Sequence, residues 1–328
     1  MLYLRARKGF ASSIANYISE HQPSALDFNL MFPTHNRALL RIFAFVIMTF
    51  AAMPAHAEVA EILTTPASLA NGSPFLLTIS LESKASTVTG QWQRHPIIFF
   101  SAPDHRTWYS LAGVDVETTP GHYRLTVEID PDESTHRTLH KELDVEEAPY
   151  EKVPLDVPDK FVEPNAAALK IIAADKIVKD KAFAHSSAKP EWSSNFLPPL
   201  RVGAMSDSFG SQRIFNGKLA SIHRGLDYHA KSGTPISAIN SGRVVLARPL
   251  YFEGGCVVID HGLGLMSVYM HLSKIDVAVG AKVHRGQLIA LSGASGRATG
   301  PHLHLGVRWQ GSYLDPAKLF DIQLPSLH

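Results

Sequence analysis

The sequence predicts a mainly β chain built from a small Ig-like β-sandwich, one short connecting helix and a second, antiparallel β domain. Three observations carry this. From about Ala60 to Glu147, apolar residues recur at every second position. A proline-rich stretch with one helix-compatible segment follows. From Arg201 to about Phe320 the chain consists of short Val/Ile/Leu runs broken by glycine, the texture of many short strands joined by tight turns.

Taken in chain order, residues 1–57 are expected to be an extension plus a signal peptide. Basic Asn36-Arg37-Ala38-Leu39-Leu40-Arg41 precedes the apolar run Ile42 to Met53, and Pro54-Ala55-His56-Ala57 supplies a small-x-small cleavage site. The apolar run is 12 residues, against the ~20 that span a bilayer. Cleavage after Ala57 is therefore expected, with no stable membrane span afterwards. Met31 is placed where a leader of ordinary length would start, so residues 1–30 read as an over-extended frame. The expected location is the periplasm or cell envelope.

Residues 58–147 form the expected sandwich. Phe75, Leu77, Ile79 and Leu81 alternate with Leu76, Thr78 and Ser80, while Tyr123, Leu125, Val127 and Ile129 alternate with Arg124, Thr126, Glu128 and Asp130. Turn signals stand at Asn71-Gly72 and Pro120-Gly121. Trp92, Trp108 and Tyr109 are assigned to core and edge packing, and no catalytic constellation is visible here. Residues 148–200 are a connector rich in proline, within which Pro164 to Ala184 reads as an amphipathic helix bridging two domains, with Leu169, Ile172, Ile177 and Phe183 as its apolar residues. Residues 201–320 make the second β domain, with strands around Arg243–Ala247, Val257–Asp260, Met266–Leu272, Gln287–Leu291 and His302–Trp309. Turns are expected at Asn216-Gly217, Gly254-Gly255, Gly262-Leu263-Gly264 and Ser292-Gly293, and residues 321–328 are a tail.

Composition narrows the function classes. Of 328 residues, 45% are hydrophobic and 19% charged, enough to build packed cores. The net charge of +1 falls to −2 from Glu58 onward, since residues 1–57 hold five Lys/Arg and two Asp/Glu. Neither value suits a nucleic-acid binder that relies on bulk positive charge. The single Cys256 excludes an intrachain disulfide and a cysteine-rich zinc site, and is expected to be a small buried residue. There are 17 histidines, eight of them at or beyond residue 201.

Those histidines fall into a pattern. His223-Arg224-Gly225-Leu226-Asp227 is a His-x3-Asp spacing, His271 lies on the strand-like run Tyr269-Met270-His271-Leu272, and His302-Leu303-His304 is His-x-His on a strand. Side chains two apart on a strand share a face, so His302 and His304 point one way and Leu303 and Leu305 the other. Imidazoles with one carboxylate suit Zn²⁺, whose catalytic sites use three protein ligands and leave one position open. Either pair alone is a weak signal, equally consistent with surface polarity; both in one glycine-rich β domain are a strong one.

These strings, with Thr299-Gly300-Pro301 before His302, Ser208-Phe209-Gly210, Gly233-Thr234-Pro235 and Gly286-Gln287, resemble the lysostaphin/LytM-type zinc metalloendopeptidases over Ser208 to about Leu319. The resemblance implies a β domain of the barrel-sandwich (duplicated hybrid motif) type. It implies one zinc ion per chain held by His223, Asp227 and His304, and cleavage of peptide bonds in peptidoglycan stem-peptide cross-links. It also implies that His302 and His271 are the catalytic pair, one taking a proton from the attacking water and one hydrogen-bonding that water or the developing oxyanion. Which of the two takes the proton stays open.

The other histidines receive ordinary readings. His229 lies two residues beyond Asp227 and can face the same groove, while His261 and His284 fall in turns. Two further functions compete with the hydrolase: a relative without catalysis that activates cell-wall amidases, and a lipoyl- or biotinyl-carrier domain suggested by Val279-Gly280-Ala281-Lys282-Val283. Retention of every ligand position argues against the first. The second lacks a modifiable lysine in a matching turn and leaves the histidines unexplained. Peptidoglycan peptides are the expected partner, no nucleic acid is, and the oligomeric state is open.

Overall fold

A computed structural model describes residues 61–132, 135–155, 165–184, 186–200, 205–215 and 218–325. The leader, the Met31 start, the cleavage point and the Asn216-Gly217 turn lie outside these residues. These described residues form one compact unit. Among the described residues no helix is long and apolar enough to cross a membrane.

The amino-terminal strands are β1 (Glu61–Thr65), β2 (Leu69–Ala70), β3 (Pro74–Ser80), β4 (Thr87–Trp92), β5 (His95–Ile98), β6 (Phe100–Ser101), β7 (Thr107–Gly113), β8 (Gly121–Asp130) and β9 (Arg137–Glu146). They make two sheets, ordered β1-β3-β7-β6 and β2-β9-β8-β4-β5. The period-two pattern is what folds them. Phe75, Leu77 and Ile79 of β3 and Leu125, Val127 and Ile129 of β8 are buried, while their alternating polar neighbours on β8 face outward. The sheets meet where Phe75 packs edge-on against Trp92, ring centroids 5.7 Å apart. Trp92 is fully buried, and its indole N–H donates to the Gly113 carbonyl at 2.9 Å. Trp108 is buried as expected.

The connector adds strand β10 (Lys152–Leu155), which pairs in parallel with β12 (Gln212–Phe215); β12 in turn pairs with β13 (Lys218–Ile222). A strand containing Pro154 escapes a proline-based reading, yet here it stands at the edge of its sheet, where proline is tolerated. Helix α1 (Ala166–Phe183) begins at Asn165, whose side chain accepts from the Ala168 N–H at 2.9 Å. Its inner face differs from the expected one. Leu169 and Ile177 are exposed, and α1 instead turns Asp175, Val178, Ala182 and Phe183 inward. The Asp175 carboxylate accepts from the Tyr251 N–H at 2.7 Å, which fixes the rotation of the helix. Rather than bridging two domains, α1 packs on strand β16 (Gly242–Leu250) of the large sheet. Trp192, Phe196 and Leu200, further along the connector, are buried.

The remaining strands are β11 (Met205–Asp207), β14 (Leu226–His229), β15 (Pro235–Ser237), β17 (Gly254–Asp260), β18 (Leu265–Ile275), β19 (Lys282–Val283), β20 (Leu288–Ser292), β21 (His302–Trp309) and β22 (Ser312–Leu314), followed by helix α2 (Pro316–Asp321). With β16 they form a large antiparallel sheet ordered β11-β14-β21-β18-β17-β16-β19, to which β15, β20 and β22 add. The turn expected at Gly254-Gly255 falls just before it, over Tyr251–Glu253, because both glycines enter β17. His261 is a second departure. It follows β17 and is fully buried, Nδ1 donating to the Ser241 carbonyl at 2.8 Å and Nε2 lying 2.8 Å from Ser267 Oγ. Packing continues beyond residue 320, where Ile322 is buried and the Leu324 N–H donates to the Asn195 side chain.

The sandwich and the large sheet share an interface. Leu314 fills the space beside Gly113, His95 packs on Trp309 at 5.3 Å, and the Asp115 carboxylate accepts from the Tyr313 N–H.

Candidate metal centre

Three strands bring the histidine segments together. In the β14–β21 ladder Asp227 stands opposite His304 and His229 opposite His302, and in the β21–β18 ladder His304 stands opposite Met270. His223 follows the end of β13, and the turn Arg224-Gly225 returns the chain to β14. Leu303 and Leu305 are fully buried on the far side of β21, so His302 and His304 share the opposite face.

His223 Nε2 lies 3.2 Å from Asp227 Oδ1 and 3.1 Å from His304 Nδ1, and His304 Nδ1 lies 2.8 Å from the same Asp227 oxygen. Donors ~2.0–2.1 Å from a tetrahedral zinc ion are themselves about 3.3 Å apart. Two imidazole nitrogens and one carboxylate oxygen in this triangle therefore fit that ion in both chemistry and spacing. Among the described residues this is the one His/Cys/Asp/Glu group close enough to hold a metal.

The neighbouring groups fix the rings. A carbonyl oxygen only accepts, so the ring nitrogen facing it carries the proton. His223 Nδ1 donates to the Ser208 carbonyl at 2.9 Å, His302 Nδ1 to Gly300 at 2.8 Å and His271 Nδ1 to Ser295 at 2.8 Å. His302 Nε2 consequently points inward, 3.9 Å from Asp227 Oδ1, and the His271 ring lies 4.6 Å from that of His302. His271 itself occupies a bulge: Gly255 opposes Leu272, but Val257 opposes Tyr269, leaving one extra residue on β18. Its φ of 62° is a left-handed conformation uncommon outside glycine.

Electrostatics follow from this packing. Burial alone would raise the Asp227 pKa, but hydrogen bonds from His223 and His304 prevail and hold it far below the usual carboxylate range. Burial likewise opposes charge on His223, yet Asp227 beside it raises its pKa overall. Burial lowers the pKa of His304 and His271, keeping both neutral.

Residues 221–316 match peptidase family M23. These residues form a peptidase family M23 domain. Vibrio cholerae peptidoglycan DD-endopeptidase ShyA is 46% identical over 101 residues, covering 30% of this chain and 24% of ShyA. A Pseudomonas aeruginosa crystal structure, described as a candidate peptidase M23, superposes with a TM-score of 0.58 at 27% identity, over 76% of this chain and 94% of that one. The lysostaphin catalytic domain of Staphylococcus simulans is 31% identical, over 37% of this chain and 93% of that domain, with a TM-score of 0.33. The chain spans about a quarter of the length of the curated relatives it matches.

All five sequence-selected residues of the M23 domain thus meet at one place. His229 stands exposed on the same face opposite His302, outside the converging triangle. Sequence reasoning missed the groups that orient the rings. The Ser208, Ser295 and Gly300 carbonyls are backbone atoms without a residue signature. Asp207, whose carboxylate lies 3.5 Å from His223 Nδ1, reaches the site through β11 pairing with β14. Glu117 of the sandwich forms an ion pair with Arg224, next to His223, a contact between segments 107 residues apart.

Proposed function

We propose that the chain is an exported, zinc-dependent endopeptidase that hydrolyses peptide bonds in the stem-peptide cross-links of peptidoglycan. The observation that carries this reading is the 2.8–3.2 Å triangle of His223 Nε2, Asp227 Oδ1 and His304 Nδ1. Relatives named as peptidoglycan DD-endopeptidases support the substrate, and the basic-apolar-small leader of residues 36–57 supports export.

His223, Asp227 and His304 would hold the ion. When bound, zinc supplies a Lewis acid that acidifies water and polarises a carbonyl. The protein's own groups account for the rest. His302, its Nδ1–H tied to the Gly300 carbonyl, turns an Nε2 lone pair toward the triangle and serves as general base. His271 has its Nδ1–H tied to the Ser295 carbonyl, so its neutral ring also offers only an acceptor at Nε2. It orients the attacking water; donation to an oxyanion would require the imidazolium, which burial disfavours. Incubating the purified full chain with isolated peptidoglycan, with and without a chelator, tests the reading by mass spectrometry of the fragments. The expected result is chelator-sensitive cleavage within cross-linking peptides. Intact cross-links with zinc present would overturn it.

A further inference from the structure

The face of β21 that carries His302 and His304 continues through Gly306 to Arg308, ~13 Å beyond His304 at ~3.3 Å per residue. Arg308 is half-buried, and its guanidinium carbon lies 4.1 Å from the Phe183 ring centroid and 5.8 Å from that of Tyr313. Its Nε is buried without a hydrogen-bond partner, and among the described residues no carboxylate forms an ion pair with it.

Arg308 lines a cavity of about 180 Å³ between α1 and the large sheet. Two acids line the same cavity, and both are already paired, Asp180 with Lys176 and Glu253 with Lys179. Among the described residues no acid of this cavity is left to pair with Arg308. Val258, Val268 and Met270 give the cavity an apolar floor, and Met270 stands opposite His304 across the β18–β21 ladder. The cavity therefore opens one cross-strand pair from a residue of the metal triangle.

Burying the Arg308 Nε–H without an acceptor is costly, and an unsatisfied buried donor in a native fold calls for a ligand or ion. Ring stacking fixes the plane of the guanidinium but supplies no acceptor. The group that completes it is a planar carboxylate, which arginine binds through two parallel N–H bonds.

We propose that Arg308 and this cavity form a carboxylate-binding subsite for the free C-terminal end of a peptide whose last side chain is small and apolar. Only the source of that peptide, a wall stem, rests on the endopeptidase reading. Phe183 of the connector helix closes the subsite, which gives α1 a part in substrate selection.

The test uses the intact metal-loaded chain, titrated with N-acetyl-D-alanine and, separately, with N-acetyl-D-alaninamide, following the Met270 and Tyr313 amide resonances and the heat of binding. The acid is expected to bind roughly tenfold or more tightly than the amide. R308Q is expected to abolish that difference, and R308K, which keeps the charge but not the planar fork, to retain part of it. Equal affinity of acid and amide for the unaltered chain, which needs no variant, overturns the proposal. So does an acid preference that survives in R308Q, since the acid would then be bound elsewhere. Peptidoglycan hydrolysis on the same preparations separates the two readings. Arg308-dependent acid binding without hydrolysis upholds the subsite and refutes the endopeptidase, whereas hydrolysis without acid preference does the reverse.

Discussion

Gly225 stands between His223 and Asp227 because nothing larger fits. A Cβ there would lie 2.5 Å from His304 Nε2 and 2.6 Å from the Leu305 carbonyl oxygen. Gly225→Ala is expected to push the His304 ring out of the triangle and reduce bound metal well below one ion per chain, read by metal analysis of the purified variant. Replacing His223, Asp227 or His304 by alanine should remove metal and hydrolysis together. His302→Ala should keep the metal and lose turnover by roughly 10²–10⁴-fold; full activity in that variant would take the base role from His302. At this scale the sequence was most legible where residue type and spacing coincide, as in His-x3-Asp and His-x-His. It was silent on the carbonyls of Ser208, Ser295 and Gly300, since any residue type supplies a carbonyl.

Elements were legible in proportion to how local their cause is. Strand β21 runs over His302–Trp309 as its alternation predicts, because one side of the strand must be buried. The existence of α1 was readable, but not its inner face. Leu169 and Ile177 stay exposed because the Asp175–Tyr251 hydrogen bond and the Arg308–Phe183 stacking set the rotation, with Tyr251 in the turn after β16 and Arg308 on β21. The bulge at His271 was equally hidden, since it exists only as a register shift of β18 against β17, a strand it meets in the folded sheet. The helix start itself is fixed by a local cap. Asn165→Ala removes the cap acceptor for the Ala168 N–H and is expected to cost about 1 kcal/mol, measured by denaturant unfolding.

For the whole molecule, His261 sets an acid limit. It is fully buried, and burial, the largest cause, lowers its pKa to about 4 despite its hydrogen bond to the Ser241 carbonyl. In the unfolded chain it titrates near 6.5, so below that pH the unfolded state binds the proton that the folded state refuses. Stability is therefore retained above pH ~6.5 and falls as the pH drops toward 4, by up to ~3 kcal/mol from this group. Denaturant midpoints across that range should show the slope, and His261→Asn should flatten it. The joint between the sandwich and the M23 domain also belongs to this scale. Glu117 pairs with Arg224 beside His223, and Tyr150 packs on Phe209 at 5.9 Å while its hydroxyl donates to the Asn71 carbonyl. Phe209 follows Ser208, whose carbonyl orients His223. The sandwich thus braces the loop that presents a metal-triangle residue, and Tyr150→Phe is expected to weaken metal affinity while the β content seen by circular dichroism stays unchanged.

The sequence by itself determined the two β regions and singled out the four histidines and one aspartate that the fold brings together. Each is written in periodicity, residue type or spacing, which act over a few residues along the chain. Only the tertiary structure decided which face of α1 is buried, which ring nitrogen each histidine turns inward, and that Arg308 has no ion-pair partner among the described residues. Those outcomes depend on backbone carbonyls, strand registers and ion pairs between segments tens to hundreds of residues apart, and no local pattern encodes them.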